Sequence, residues 1–360
     1  MLTQYGWSDE LQRDFASYAA QGLKAGRVIV QQRGGYRLIT EAGETDAKAA
    51  GRLMKSREEM ARPVAGDWVA YEPRKAPEPA FVQHVLPRRT AFVRKAAGRG
   101  VHAQVVAANV DVAFLVTSLN SDLNLRRLER YLATAHESGA RPVIVLTKAD
   151  LAPDAAERVA EVRTIAGEAP VLAVAAKQGE GLEAVAAHLE PGRTAVLLGM
   201  SGAGKSTLLN ALAGSERMAT GEIREDDERG RHTTTHRELV LLPSGGLILD
   251  TPGMRELGLW DADAGVSAVF EDIEALVGEC RFSDCGHGGE PGCAVRAALA
   301  DGSLDPDRWA SFRKLQAEAA YEQRREDPRA AAENRKLWAG RHKQAKAWIK
   351  QKRSFGDEES

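Results

Sequence analysis

The chain has 360 residues, 43% of them hydrophobic and 28% charged, with a formal net charge of −2. That length exceeds one ordinary core and points to two or three domains, and the near-neutral balance excludes a uniformly basic nucleic-acid coat while leaving room for local basic patches. No apolar run approaches the ~20 residues of a membrane span, and the start MLTQYGWSDELQ lacks the basic-then-apolar order of a secretory leader. The three cysteines, Cys280, Cys285 and Cys293, fall in one short segment, as expected for a metal site in a reducing compartment, so a cytoplasmic location is expected.

In chain order, residues 1–25 form a helical extension. Ser8 is placed to cap a short amphipathic helix with Leu11, Phe15 and Tyr18 on one face, closed by Gly22. Residues 26–98 read as a small closed barrel of five strands, GRVIVQQ, GYRLIT, GRLMK, GDWVAYEP and AFVQHVLPR, separated by glycines and prolines. An OB-type barrel suits this length, although an SH3-like barrel gives a similar pattern. Tyr36, Trp68 and Tyr71 either stack bases or fill the barrel core, and Arg88, Arg89, Arg94, Lys95 and Arg99 form a basic stretch that either contacts RNA or is a solvated linker.

Residues 99–262 alternate between buried-strand patterns (VDVAFLVTSL, RPVIVLT, APVLAVAA, RTAVLLG, GLILD) and helical stretches (LRRLERYLATAHESG, PDAAERVAEVRTIAGE, GEGLEAVAAHL). This is the grammar of an α/β doubly wound sheet with ligand loops at the strand carboxyl ends. RELVLLPSGGLILD reads as a hairpin joining an antiparallel edge strand to that sheet. Residues 263–360 read as mainly helical apart from the cysteine cluster, and end in a basic tail around Trp338 and Trp348.

Gly199-Met200-Ser201-Gly202-Ala203-Gly204-Lys205-Ser206, followed by Thr207, fits G-x-x-x-x-G-K-[ST] between an apolar strand and a helix. Its glycines let backbone amides face a phosphate, Lys205 reaches the β- and γ-oxygens, and Ser206 is placed to bind Mg²⁺. Asp250, in DTPG, ends the next strand and suits a carboxylate holding Mg²⁺ through water, with Gly253 as the γ-phosphate sensor. In GRHTTTH, one of Thr233, Thr234 and Thr235 completes the Mg²⁺ shell, and Thr234 is the choice. Some fifty residues upstream of the phosphate loop, Thr147-Lys148-Ala149-Asp150 closes another strand. Asp150 can accept both hydrogen bonds of the guanine N1 and N2 edge, which adenine cannot supply. Lys148 would lie along the base. Thr147 stands where Asn is more usual, and Ala175-Ala176-Lys177 stands where a Ser-Ala-Lys loop would touch the guanine carbonyl. Met254 follows Gly253 and cannot orient water, so His232, or less favourably His236, is the in-chain candidate for that role, and unassisted hydrolysis is expected at or below ~10⁻⁴ s⁻¹. Cys280-x₄-Cys285-x-His287-x₅-Cys293 supplies a closed tetrahedral set for one structural zinc.

The order TKAD, AAK, GMSGAGKS, TTT, DTPG resembles the circularly permuted GTPases. Taken with the barrel and the cysteine cluster, nearly the whole chain is similar to the ribosome small subunit-dependent GTPase A family (RsgA, or YjeQ). The resemblance implies hydrolysis of GTP to GDP and phosphate, stimulated by the small ribosomal subunit, late in its maturation. It implies that the barrel and zinc domain contact rRNA, with His232 as the catalytic residue. The expected architecture is thus an OB-type β-barrel, a circularly permuted α/β P-loop GTPase domain, and a mainly helical zinc-binding domain. The chain is expected to act as a monomer away from membranes. Two rivals stand beside this reading: a nucleotide-dependent enzyme on a small molecule, which would need an acid–base constellation that the sequence does not offer, and a nucleic-acid binder merely regulated by nucleotide, which RNA binding without ribosome-stimulated turnover would favour.

Overall fold

A computed structural model describes residues 1–32, 34–55, 61–75, 77–95, 103–119, 123–215, 237–250 and 263–326. The Ser8 hydroxyl accepts the Leu11 amide at 3.3 Å and caps α1 (Asp9–Ala19), whose Leu11 and Phe15 are buried. The barrel follows as β1 (Lys24–Gln32), β2 (Gly35–Thr40), β3 (Gly43–Ala49), β4 (Trp68–Glu72) and β5 (Ala80–Val85). Its order is β1-β2-β3-β5-β4, with β4 returning to β1 and only β3–β5 parallel, which is the OB arrangement. GRLMK, expected as the third strand, is instead the short helix α2 (Gly51–Lys55), and GETDAKA takes the strand position. Only Ala47 of β3 is buried, so this polar strand carries almost no alternating apolar signal. Trp68 and Tyr71 are buried in the barrel, which settles both as core residues unavailable for stacking. Strands β6 (Ala91–Lys95) and β7 (Ala103–Ala108) form a separate antiparallel hairpin, and the expected domain boundary at 98/99 lies between them, outside the described residues.

The second half forms a parallel sheet of β8 (Val112–Ser118), β9 (Arg141–Thr147), β10 (Val171–Val174), β11 (Thr194–Leu198) and β13 (Leu247–Asp250). All seven residues of β8 are buried, as expected of a strand covered on both faces. Phe114 and Val116 pack with α5 (Leu182–Ala186) and α6 (Lys205–Ala213) on one face. Leu115 faces the other layer, with Leu128 and Leu132 of α3 (Leu125–Ser138), beside the helix α4 (Ala155–Arg163).

The hairpin RELVLLPSGGLILD is present, but β12 (Arg237–Leu241) is not a sheet edge. It pairs with the far end of β1 (Val30 opposite Glu238, Gln31 opposite Arg237), so barrel and nucleotide sheet form one hydrogen-bonded run of eleven strands. A bulge at Val28/Val30 lets β1 leave the barrel curve and serve both.

A buried arginine fastens the same seam. Arg27, 1% exposed, donates from Nε to Gly66 O at 3.2 Å and from Nη2 to Asn109 O at 3.2 Å and Thr194 Oγ1 at 2.9 Å. Nη1 donates to Tyr5 O, and the guanidinium lies 5.2 Å from the centre of the Trp68 ring. Burial pushes its pKa down to about 10, so it remains charged at neutral pH. One side chain thus joins the N-terminal turn, the barrel, the β7–β8 turn and the strand leading to the phosphate loop.

The C-terminal region comprises α7 (Asp263–Val269), α8 (Glu271–Gly278), α9 (Ala294–Asp301) and α10 (Pro306–Glu326). It is held to α3 by apolar packing around Phe270 and Phe312 and by an ionic network. Buried Glu129 accepts from Arg126 and, at 2.9 Å, from Arg308, which also reaches Asp272, while Arg130 forks onto Glu318 at 2.7 and 2.9 Å.

Candidate functional site

The phosphate loop leaves β11 and enters α6, where the sheet's parallel strands end. Gly199 has φ +154°, and a Cβ there would lie 2.1 Å from Val116 O, so no larger residue fits without moving the loop. Gly204 caps α6 at φ +88°, and Leu208 and Leu209 anchor that helix in the core. The Lys205 ammonium donates to Gly199 O at 2.7 Å and Met200 O at 2.6 Å, folding back across the loop. Ser206 follows on the first turn of α6 and is half-buried. Asp250 ends β13, the strand beside β11, and is also half-buried.

The segment Thr147-Lys148-Ala149-Asp150 stands at the end of β9, two strands from β11, or roughly 10 Å across the sheet. Lys148 takes a left-handed conformation at φ +57° and turns the chain into a 3-10 turn over Ala149–Leu151 that presents Asp150 to solvent. Ala175 follows β10 and is buried, with Ala176 half-buried and Lys177 exposed. All these motifs therefore meet at the carboxyl edge of one parallel sheet despite their reversed order in the chain. A sheet tolerates such reordering because each strand keeps its neighbours.

Two residues gain roles that pattern matching did not assign. Thr147 is buried, and its hydroxyl donates to Ala203 O at 2.7 Å, with Thr117 O at 3.3 Å. It ties the end of β9 to the phosphate loop, where Gly204 leaves just enough room for it. Gln178 Nε2 lies 3.4 Å from Asp150 Oδ2, bracing the carboxylate from the loop in which Ala175 replaces a serine. Neither role has a sequence signature, since each joins segments distant in the chain. His232, Thr234 and Gly253, with Thr233, Thr235, His236, Met254 and the basic tail, lie outside the described residues.

Cys280, Cys285, His287 and Cys293 converge with every donor atom within 4.8 Å of the others. Cys280 Sγ lies 3.9 Å from Cys293 Sγ, and His287 Nδ1 lies 3.6 and 3.5 Å from those two sulfurs. A tetrahedral ion at ordinary metal–sulfur and metal–nitrogen lengths would set these edges at about 3.8 and 3.6 Å. The cluster fits a four-coordinate metal with no open position. Glu290 shapes the loop by accepting the amides of Gly286, Gly288 and Gly289 at 2.8–3.1 Å, which holds its carboxyl down to about 2.

A phosphate loop, a base-reading loop and a strand-end carboxylate on one sheet edge, in this chain order, define the class of circularly permuted P-loop GTPases. The family model described as RsgA GTPase matches residues 85–260. The small ribosomal subunit biogenesis GTPase RsgA of Opitutus terrae is 49% identical, over 94% of this chain and 95% of that protein. The protein of the same name from Streptomyces avermitilis is 48% identical over 98% and 95%. The crystal structure of YjeQ from Thermotoga maritima superposes with a TM-score of 0.61 at 25% identity, covering 83% of this chain and 99% of that one. The chain belongs to the RsgA GTPase family.

Proposed function

We propose that this chain is a GTPase that binds the small ribosomal subunit, assists its late maturation, and leaves after hydrolysing GTP to GDP and phosphate. The observation that carries the reading is the assembly of the permuted nucleotide motifs on one sheet edge, in a chain about half identical to small-subunit biogenesis GTPases over nearly its full length. In this reading Asp150, braced by Gln178, accepts the guanine N1 and N2 protons, and Lys148 and the Ala175-Ala176-Lys177 loop flank the base. The backbone of Gly199 to Thr207 and the Lys205 ammonium neutralise the β- and γ-phosphates. Ser206, Thr234 and, through water, Asp250 would hold Mg²⁺, which supplies charge neutralisation at the transferred phosphate. His232 positions the attacking water once Thr234 and Gly253 have closed on the γ-phosphate. Cys280, Cys285, His287 and Cys293 would hold one structural Zn²⁺, on the strength of their thiolate-rich donor set and tetrahedral edges.

The proposed division is an extension (1–25), the barrel (26–98), the permuted GTPase domain (99–262) and the metal-binding helical domain with its tail (263–360), working as a cytoplasmic monomer on rRNA. The test is turnover of GTP and ATP with and without purified small subunits. GTP-selective hydrolysis near ~10⁻⁴ s⁻¹ alone, rising at least ~10³-fold with subunits and lost in His232→Ala, is expected. Unchanged turnover with subunits would overturn the release step, and ATP preference would overturn the role of Asp150.

A further inference from the structure

A cavity of about 380 Å³ lies at the opposite end of the strands from the phosphate loop, where β8, β9 and β11 begin. A strand of this length separates the two by roughly 20 Å, so the cavity is no part of the nucleotide site. Arg89, Arg141 and Arg193 line it, with His188, Asp111 and Glu190. The carboxylate of Asp111 is already engaged. It accepts the Thr194 amide at 2.8 Å and Arg193 at 2.9 Å, with Arg89 at 3.8 Å. Glu190 stands out in solvent, 4.0 Å from Arg193. Arg141 meets only the Nδ1 of His188, at 3.4 Å, among the described residues. Burial, and then the charge of Arg141, push the His188 pKa down, and an imidazole brings no negative charge to offset the guanidinium. Three guanidinium groups from three different segments therefore line one cavity, with the committed Asp111 carboxylate and the solvent-exposed Glu190 beside them.

We propose that this cavity binds the phosphodiester backbone of RNA through Arg89, Arg141 and Arg193. The inference rests on the small-subunit reading above and adds to it a contact surface on the GTPase domain's own sheet. A chain of net charge −2 can reach a polyanion only through such local excess. Planar guanidinium forks match phosphate oxygens two at a time, a geometry that ammonium groups do not offer. Arg89 follows the barrel, while Arg141 opens β9 and Arg193 immediately precedes β11, so a strand of RNA seated here would span both.

The experiment uses the full chain and its Arg89→Gln/Arg141→Gln variant, titrated against a fluorescein-labelled single-stranded RNA and against small ribosomal subunits over a range of salt. Loss of two phosphate contacts should weaken RNA binding about tenfold at moderate salt and lower the log–log salt slope by roughly 1.5, while Arg89→Lys/Arg141→Lys retains most of the slope. GDP affinity and the thermal midpoint should match the parent, since neither arginine touches the nucleotide or the core. Equal RNA affinity and equal slope in parent and variant would overturn the proposal and leave the small-subunit reading intact. Weakened subunit binding with unchanged RNA binding would also overturn it, pointing to an acidic protein segment instead. Failure of the parent itself to bind either partner would overturn both readings.

Discussion

Replacing Arg27 with Met would remove one guanidinium and leave four acceptors from four segments without their shared donor. Gly66 O keeps a second donor in Asn109 Nδ2 at 3.2 Å, but Tyr5 O and Asn109 O lose the contact Arg27 makes, and Thr194 Oγ1 loses its partner. A buried acceptor left unpaired costs about 1–3 kcal/mol, and relief from desolvating a cation offsets part of the sum. The expected loss is about 3–4 kcal/mol, which lowers the melting midpoint of a protein this large by roughly 4–5 °C. Arg27→Lys keeps the charge but cannot fork to opposed acceptors, and should lose about half as much. Thermal and urea unfolding followed by circular dichroism would measure both, with GDP affinity as a control for the distant nucleotide site. An Arg27→Met protein within about 1 kcal/mol of the parent would refute the view that this residue fastens the seam.

Thr147→Val removes the donor to Ala203 O while keeping the shape, and should weaken GDP binding by about 1–2 kcal/mol, or roughly 5–30-fold, in a fluorescent-nucleotide titration. Thr147→Ser should stay within about twofold. Purified protein should carry one zinc by elemental analysis, and stripping it with a chelator should lower the melting midpoint of the C-terminal region by more than about 10 °C, given the ~10–16 kcal/mol such sites supply. The pH dependence of the α3–α10 contact follows from Glu318, whose hydrogen bonds to Arg130 hold its carboxyl below the ordinary 4.5. A depressed carboxylate stabilises the fold above that ordinary value and loses its contribution as pH falls through the depressed one. The midpoint difference between parent and Glu318→Gln should therefore be present at neutral pH and shrink as pH is lowered below 4.5; a difference independent of pH would show that the pair contributes nothing through charge.

The segments gathered at the carboxyl edge of the parallel sheet were legible in the sequence because each is local. Gly199 to Ser206, Asp150 and Asp250 each sit where an apolar strand stops, and strand end and chemistry are read from the same few residues. The buried strands of the parallel sheet were equally plain, since double burial leaves continuous apolar runs. What sequence pattern missed was either polar or long-range. Strand β3 has one buried side chain and so no alternation to read, while Leu53 and Met54 in the adjacent GRLMK drew attention to a single helical turn. The partners of Arg27 stand at 5, 66, 109 and 194, and nothing at any of those positions announces the others. Thr147 stands at a motif position where Asn is more usual, and nothing local to it shows that its hydroxyl turns inward to Ala203 O in the glycine-rich loop.

The pairing of β12 with β1 has a bearing on solubility. Severed from the barrel, the nucleotide half would end its sheet in a strand whose outward amides and carbonyls had lost their cover, the kind of template on which a second copy can build. The barrel therefore acts as a chaperoning lid for its neighbour's open margin. Fragments that lack the Val30–Gln31 end of β1 should be prone to self-association, while those that keep it joined to the barrel should stay dispersed.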